Sequence, residues 1–190
     1  IDIAIKVFER SKICIKDIYE MKRGVLFDKS LLTEHKKSSN YYRYFEGSIY
    51  RYQSIINTPL WVEFGPKMKE YPKDIKWFVG ERILLRRLVN RRKRLMASLV
   101  KDDFITNKNL YSILPLHNDS LKYLLSIINS KLISKLYISM VSQSTKDDYP
   151  QVTIKDVLKL PLPQLDISKE TDKALHDQLV ALVEQMLDLH

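Results

Sequence analysis

Glycine is scarce in this chain: four in 190 residues, Gly24, Gly47, Gly65 and Gly80, each isolated from the others. A phosphate-cradling or dinucleotide-binding loop needs clustered glycines for its tight turns and close backbone approach, so neither can be assembled. Cysteine is scarcer still. The single Cys14 excludes an internal disulfide, fits a reducing cytosol, and reads as a small core residue. The four histidines, His35, His117, His176 and His190, have no partner at metal-ligand spacing. Nothing resembles a nucleophile elbow. No apolar run approaches the eighteen or so residues of a membrane span. The chain opens IDIAIKVFERSK, without a starting Met or a charged-then-apolar leader, and reads as a segment of a longer cytoplasmic protein.

Two partial motifs fall short of a catalytic centre. Acid-x-Lys triplets stand at Glu20–Lys22, Glu34–Lys36 and Asp74–Lys76. Metal-dependent nucleases use such triplets, because carboxylates hold Mg2+ while a lysine positions the attacking water. In a chain this rich in lysine they arise by chance, and none follows a convincing Pro-Asp strand. The tetrapeptide "NTPL" at 57–60 lacks the second proline and the aromatic of the Asn-Pro-Pro-aromatic motif of adenine-N6 methyltransferases. No metal site and no cofactor site is expected in this chain.

What is abundant is positive charge, unevenly placed. The net charge is +9. Residues 1–100 hold 22 basic and 11 acidic side chains, residues 101–165 hold 8 and 6, and residues 166–190 hold 2 and 6. A basic surplus confined to one part of a chain fits a face that meets a polyanion, while charge alone does not select among DNA, RNA and anionic lipid. The density peaks in "GERILLRRLVNRRKRLMASLV" at 80–100, with seven Arg or Lys among the thirteen residues from Arg82 to Arg94.

With 45% hydrophobic residues the chain can bury a core and suits one domain. Residues 1–10 alternate, and the short β-rich runs "ICIKDI" (13–18), "GVLF" (24–27), "GSIYRY" (47–52) and "LWVEF" (60–64) follow. Segment 29–46 is polar and basic with an aromatic cluster and reads as a loop or insertion. "RILLRRLV" and "RLMASLV" form a hairpin with a basic tip at Asn90–Lys93, and "NLYSIL" (109–114) is a third run. Helix is the competing reading of this stretch, but its apolar residues hold no clean 3.6-residue stripe and Gly80 precedes it. From Leu121 apolar residues recur every three or four positions to Met140, with a break at Asn129–Ser130, which suit caps better than helix interiors. Residues 141–153 read as a polar loop, and "LPLP" at 160–163 extends the chain. Leu175, Leu179, Leu182, Met186 and Leu189 have heptad-like spacing. The expected fold is α+β: a β-rich N-terminal two-thirds, helix at about 121–140 and a C-terminal helix. Residues 1–165 form the domain, and 168–190 the terminal helix.

In this order the pieces "ICIKDIYEMKRGV", "YFEGSIYRY", "GERILLRRL", "FITNKNLYSI", "LKYLLSIINSKLIS", "QVTIKDVLKLPLPQ" and "LVALVEQMLDL" resemble the TaqI-like C-terminal specificity domain. That is the target-recognition domain of adenine-N6 DNA methyltransferases and single-chain (Type IIG) restriction–modification enzymes. More distantly, the chain is similar to one recognition half of a Type I specificity subunit. The most specific element is Asn129-Ser130-Lys131-Leu132, followed by a Pro-x-Pro step and a heptad-like helix. Segment 29–43 and the tip Arg91–Arg94 match nothing, as expected of regions that vary with the DNA read. The resemblance implies a non-catalytic recognition domain on double-stranded DNA and an upstream methyltransferase domain that flips and methylates an adenine. S-adenosylmethionine, and Mg2+ where the parent also cuts, would belong to that absent part. The final helix would pack on the domain or act as a spacer.

The DNA-contact candidates follow from side-chain chemistry. Arginine and lysine hold phosphates, while bidentate Arg reads guanine and Asn or Gln reads adenine. Arg86, Arg87, Arg91, Arg92, Lys93 and Arg94 are the phosphate candidates. In a strand Arg86 and Arg87 point to opposite faces, so at most one of them serves a given groove. Arg43, Arg51 and Lys36 or Lys37 come second. Asn90, Asn40 and Gln143 are the readout candidates. Two alternatives stand beside DNA recognition. One is a protein-interaction module using the C-terminal helix, with an incidental basic face. The other is a sequence-blind anionic-binding surface.

Overall fold

The structure, a computed structural model, describes residues 11–141 and 151–190. The alternation read over residues 1–10 lies outside the described residues. The strands are β1 (Tyr19–Arg23), β2 (Tyr41–Tyr44), β3 (Ser48–Ile49), β4 (Ser54–Ile55), β5 (Leu60–Glu63), β6 (Arg82–Arg86), β7 (Ala97–Val100) and β8 (Leu110–Pro115). Among the described residues they precede four helices, α1 (Leu121–Ile128), α2 (Lys131–Met140), α3 (Ile154–Val157) and α4 (Glu170–Asp188). The α+β expectation holds.

Strands β1, β8, β6 and β7 form one antiparallel sheet in that order. Strand β6 sits inside it and is covered on both faces, which is why three apolar residues stand in succession there. Ile83 and Leu85 face α1 and α2, joining Leu124, Ile128, Leu136 and Tyr137 in the main core. Leu84 faces the other way, with Val100, Leu110, Phe45, Ile49 and Phe104. The rings of Phe45 and Phe104 stack there with centroids 5.0 Å apart. A separate two-stranded ribbon, β2 with β5, closes a third cluster around Tyr44, Val62, Trp77 and Phe78.

The helical half follows its caps. The hydroxyls of Ser120 and Ser130 accept from the N–H groups of Tyr123 and Ile133, both at 3.1 Å, and so start α1 and α2. Between the two helices Asn129 is fully buried. Its Oδ1 accepts the Ala97 N–H at 3.1 Å and its Nδ2 donates to the Ala97 carbonyl at 2.9 Å. Strand β7 is a sheet edge. The Asn129 amide thus stands where a neighbouring strand would, satisfying backbone groups that an edge leaves open. The "LPLP" segment returns to the chain start. The Ile15 N–H donates to the Leu160 carbonyl at 3.0 Å, and the Leu162 N–H to the Ile13 carbonyl at 2.9 Å.

Several local expectations are corrected. "ICIKDI" is not a strand. It holds a 3-10 turn over Ile15–Asp17, and β1 begins at Tyr19, because the segment pairs with 158–162 and not with a sheet strand. "GVLF" makes only isolated bridges, Val25 to Asn107 and Leu26 to Glu70. In "GSIYRY" only Ser48–Ile49 is strand, and Tyr52 adopts φ 63°. Segment 29–46 is not wholly loop: Tyr41–Tyr44 is β2, with Arg43 opposite Trp61. In "RLMASLV" only Ala97–Val100 is strand. A short helix, α3, occupies Ile154–Val157, a stretch to which the sequence alone assigns no element.

Helix α4 divides the heptad-like seam. Val183 is buried, and Leu179, Val180 and Leu187 pack beside it on the main core. Leu175, Leu182, Met186 and Leu189 stay 47, 49, 36 and 74% exposed, so of the five seam residues only Leu179 packs inward. Among the described residues no helix is long and apolar enough to cross a membrane.

Candidate nucleic-acid interface

The β6–β7 hairpin carries the basic tip, and its backbone is built by its own polar groups. The Lys93 N–H donates to the Asn90 carbonyl at 2.8 Å, closing a turn in which Lys93 takes φ 53°. That left-handed conformation is unfavourable for a residue with a Cβ, so the surroundings must hold it. Asn90 does much of the holding. Its Oδ1 accepts the Arg94 N–H at 2.8 Å, and its Nδ2 lies 3.4 Å from the Met96 sulfur. The amide that the sequence offers for base readout is therefore engaged inside the turn.

Arg94 ties the tip to the helices. Its guanidinium donates to the Asn129 carbonyl at 2.6 Å and to the Ser134 hydroxyl at 3.3 Å. Burial, aided by the nearby Arg51 charge, lowers its pKa from the usual arginine value. Ser134 also accepts the Leu95 N–H at 3.2 Å. These bonds lay the tip against the start of α2. The result is a groove of about 580 Å³ lined by Arg92, Lys93, Arg94, Lys131, Lys135, Ile138 and Ser139. Five of those seven residues are cations and none is an acid. Lys131 and Lys135, absent from the sequence-derived candidates, complete it. Their signal was present in "SKLISK": a cap followed by lysines one helical turn apart.

Charge pairing distinguishes the cations of this groove from one set of surface cations. Lys67, Lys76, Lys101, Lys122, Lys169, Lys173 and Arg23 each meet a carboxylate. Among the described residues Arg91, Arg92, Lys93, Lys131 and Lys135 meet none. A second cavity, of about 670 Å³ along the β7 edge, mixes Lys101 and Lys122 with Asp102, Glu184 and Asp188. Of these two cavities, the tip groove is the single-signed one.

The other candidates are dispersed. Arg86 is half-buried at the end of β6, opposite Leu110. Arg87, just past the strand, donates to Gln151 Oε1 at 2.7 Å. Arg51 is half-buried over the Tyr52 ring and its Nε has no partner. Arg43 sits on the β2–β5 ribbon, exposed, with its guanidinium carbon 4.4 Å from the Trp61 ring centre and a bond to the Thr58 carbonyl at 3.0 Å. Lys36 approaches the same indole at 5.6 Å. Lys37 and Asn40 are exposed. Gln143 lies outside the described residues. Among the described residues no cluster of three or more potential metal ligands exists.

Comparison with known proteins gives this geometry a context. The family model of the TaqI-like C-terminal specificity domain matches residues 42–162. A Methanocaldococcus jannaschii protein assigned as a type II restriction enzyme and methyltransferase is 34% identical over 151 residues. The match covers 78% of this chain and 13% of that protein, so the chain spans a small part of its relative. Among solved structures, the type IIG restriction endonuclease BpuSI superposes with TM-score 0.60 at 15% identity, over 96% of this chain and 28% of that one. The HsdS subunit from Thermoanaerobacter tengcongensis does so with TM-score 0.53 at 14% identity, over 93% and 37%. At such identities the likeness is one of fold.

Proposed function

We propose, for a chain that belongs to the TaqI-like C-terminal specificity domain family, that it selects the double-stranded DNA site on which a longer restriction–modification enzyme acts. An upstream adenine-N6 methyltransferase domain would flip and modify the base, and this domain would hold the duplex so that one adenine is presented. The observation that carries the DNA reading is the tip groove, where cations from two separate elements converge without a single acid. A surface of this kind costs self-repulsion unless an anion covers it.

The chain's own role in this reading is binding, not chemistry. S-adenosylmethionine would be held by the methyltransferase domain. A Cβ at Gly24 would lie 2.2 Å from the Asn107 oxygen, and one at Gly47 would lie 1.7 Å from the Ile55 oxygen. Both glycines therefore serve close packing of backbone rather than a ligand loop. Any Mg2+ for cleavage would likewise belong to another part of the protein, and its place of work would be the cytoplasm.

The test is selection by the full-length protein from duplexes with randomised positions, followed by sequencing of the bound fraction. Enrichment of one short sequence containing adenine is expected. Recovery of the unselected pool would rule the reading out.

The exposed stripe of α4 supports a second reading, in which the terminal helix joins another helix. Removing residues 168–190 would uncover α1, so substitution is the cleaner probe. Leu182→Glu with Met186→Glu is expected to leave the unfolding midpoint unchanged. If the stripe is an interface, the same change lowers the sedimenting mass; an unchanged mass removes this reading.

A further inference from the structure

The groove between the hairpin tip and α2 pairs a positive surface with a shortage of reading groups. Discrimination among bases needs amides, or arginine forks free to approach base edges. The Asn90 amide is engaged in the turn. The Arg94 fork is engaged on Asn129 and Ser134. What remains free is the single fork of Arg92 beside Lys93, Lys131 and Lys135, whose ammonium groups act as mobile point charges.

The two lysines on α2 are also placed against the helix's own interest. Lys131 is the first residue of α2, directly after its Ser130 cap. There a cation opposes the positive end of the helix dipole. Lys135 is one turn on, and like charges at that spacing repel. Neither lysine has a carboxylate partner among the described residues. Side chains that weaken the free fold, yet converge with a neighbouring cationic loop, are accounted for by an anion in the groove.

We infer that this groove is a sequence-blind clamp for the phosphodiester backbone, with Arg92, Lys93, Lys131 and Lys135 as its phosphate ligands and Arg94 as the internal strut that positions the tip. The inference rests on the DNA reading above and deepens it: contact here fixes affinity and register, while base discrimination lies elsewhere on the domain.

The test uses the full-length protein and two duplexes of equal length, one carrying the site recovered by selection and one a scramble of it. Lys131→Gln with Lys135→Gln is expected to weaken binding to both duplexes by the same factor, about tenfold at low salt. It should also reduce the slope of log affinity against log salt by about two, near 0.9 for each lost phosphate contact. The ratio between the two duplexes stays unchanged. The urea midpoint stays level or rises, an outcome that a merely structural role for these lysines would not give. An unchanged slope overturns the clamp, as does a shift in which duplex is preferred. A wild-type protein that binds both duplexes equally overturns the recognition reading instead, and the salt slope still decides the clamp. Arg94→Met is the second variant: it should loosen binding through the tip while exposed Lys131 and Lys135 remain.

Discussion

Replacing Arg82 with alanine is expected to destabilise the fold by about 3–5 kcal/mol, the size of effect found when a large buried side chain is truncated and the groups it bonds lose their donor. Among the described residues Arg82 is the largest fully buried side chain. One guanidinium nitrogen donates to the Gly80 carbonyl at 2.7 Å and to the Asp102 carbonyl at 2.9 Å. The other reaches the Phe104 carbonyl at 3.3 Å, and the group lies 4.6 Å above the Phe104 ring centre. Burial pulls its pKa down to about 10, against the opposing pull of Asp103 and Asp102. The side chain therefore remains charged at neutral pH and pins the loop after β7 to the start of the neighbouring strand β6. Alanine would strand three carbonyls and open a cavity between Phe104 and the sheet. Arg82→Met refills most of that volume without the charge, so a smaller loss of about 1–2 kcal/mol is expected. Urea unfolding of both variants measures the difference. A loss under about 1 kcal/mol for alanine would show that the carbonyls find water instead.

Arg82 also shows where sequence reading reaches its limit. It belongs to the same basic run as Arg91 and Arg92, and by composition all three look alike. Strand position separates them: Arg82 opens a strand covered on both faces, while the others sit on a turn. The hairpin, the helical stretch and its break at Asn129–Ser130 were legible because each is encoded locally, by periodicity and by capping residues. Strand β2 was hidden for the opposite reason. Tyr41–Tyr44 alternates in a way that suits a strand, but it follows "KKSSN" and its partner, Leu60–Glu63, lies beyond two further turns. Pairing across such a gap is a tertiary fact.

The candidate site divides in the same way. Charge density at the tip could be read directly. Which of its polar side chains are free could not, because Arg94, Asn90 and Arg87 are engaged by residues distant in sequence or by the turn itself. Lys131 and Lys135 join the site only because Arg94 docks the tip on α2. The heptad-like spacing of α4 predicted a single apolar seam. Packing on α1 instead uses the face of Leu179, Val180, Val183 and Leu187 and leaves the other seam residues outward.

Asn129→Leu is expected to cost about 2–4 kcal/mol, even though leucine keeps the branching of asparagine at Cγ. The reason lies in what the amide replaces. The Ala97 N–H has Asn129 Oδ1 as its acceptor, so with leucine it is buried without a partner. The Ala97 carbonyl fares better, since it also accepts the Tyr52 N–H at 2.9 Å. Asn129→Asp keeps an acceptor for the N–H but turns a carboxylate toward that same carbonyl in a fully buried position, and should be worse than leucine. Thermal unfolding ranks the three: wild type, then leucine, then aspartate, with leucine roughly 4–16 °C below wild type for a chain of this size. The Asn129 backbone oxygen that receives Arg94 survives both substitutions. Below its melting temperature the leucine variant should therefore keep the docked tip and the wild-type salt slope on DNA. Loss of stability with an intact salt slope would place Asn129 as the clasp of the sheet edge and Arg94 as the strut of the groove. A slope that falls with Asn129→Leu would mean instead that the edge of β7 and the basic tip move as one body.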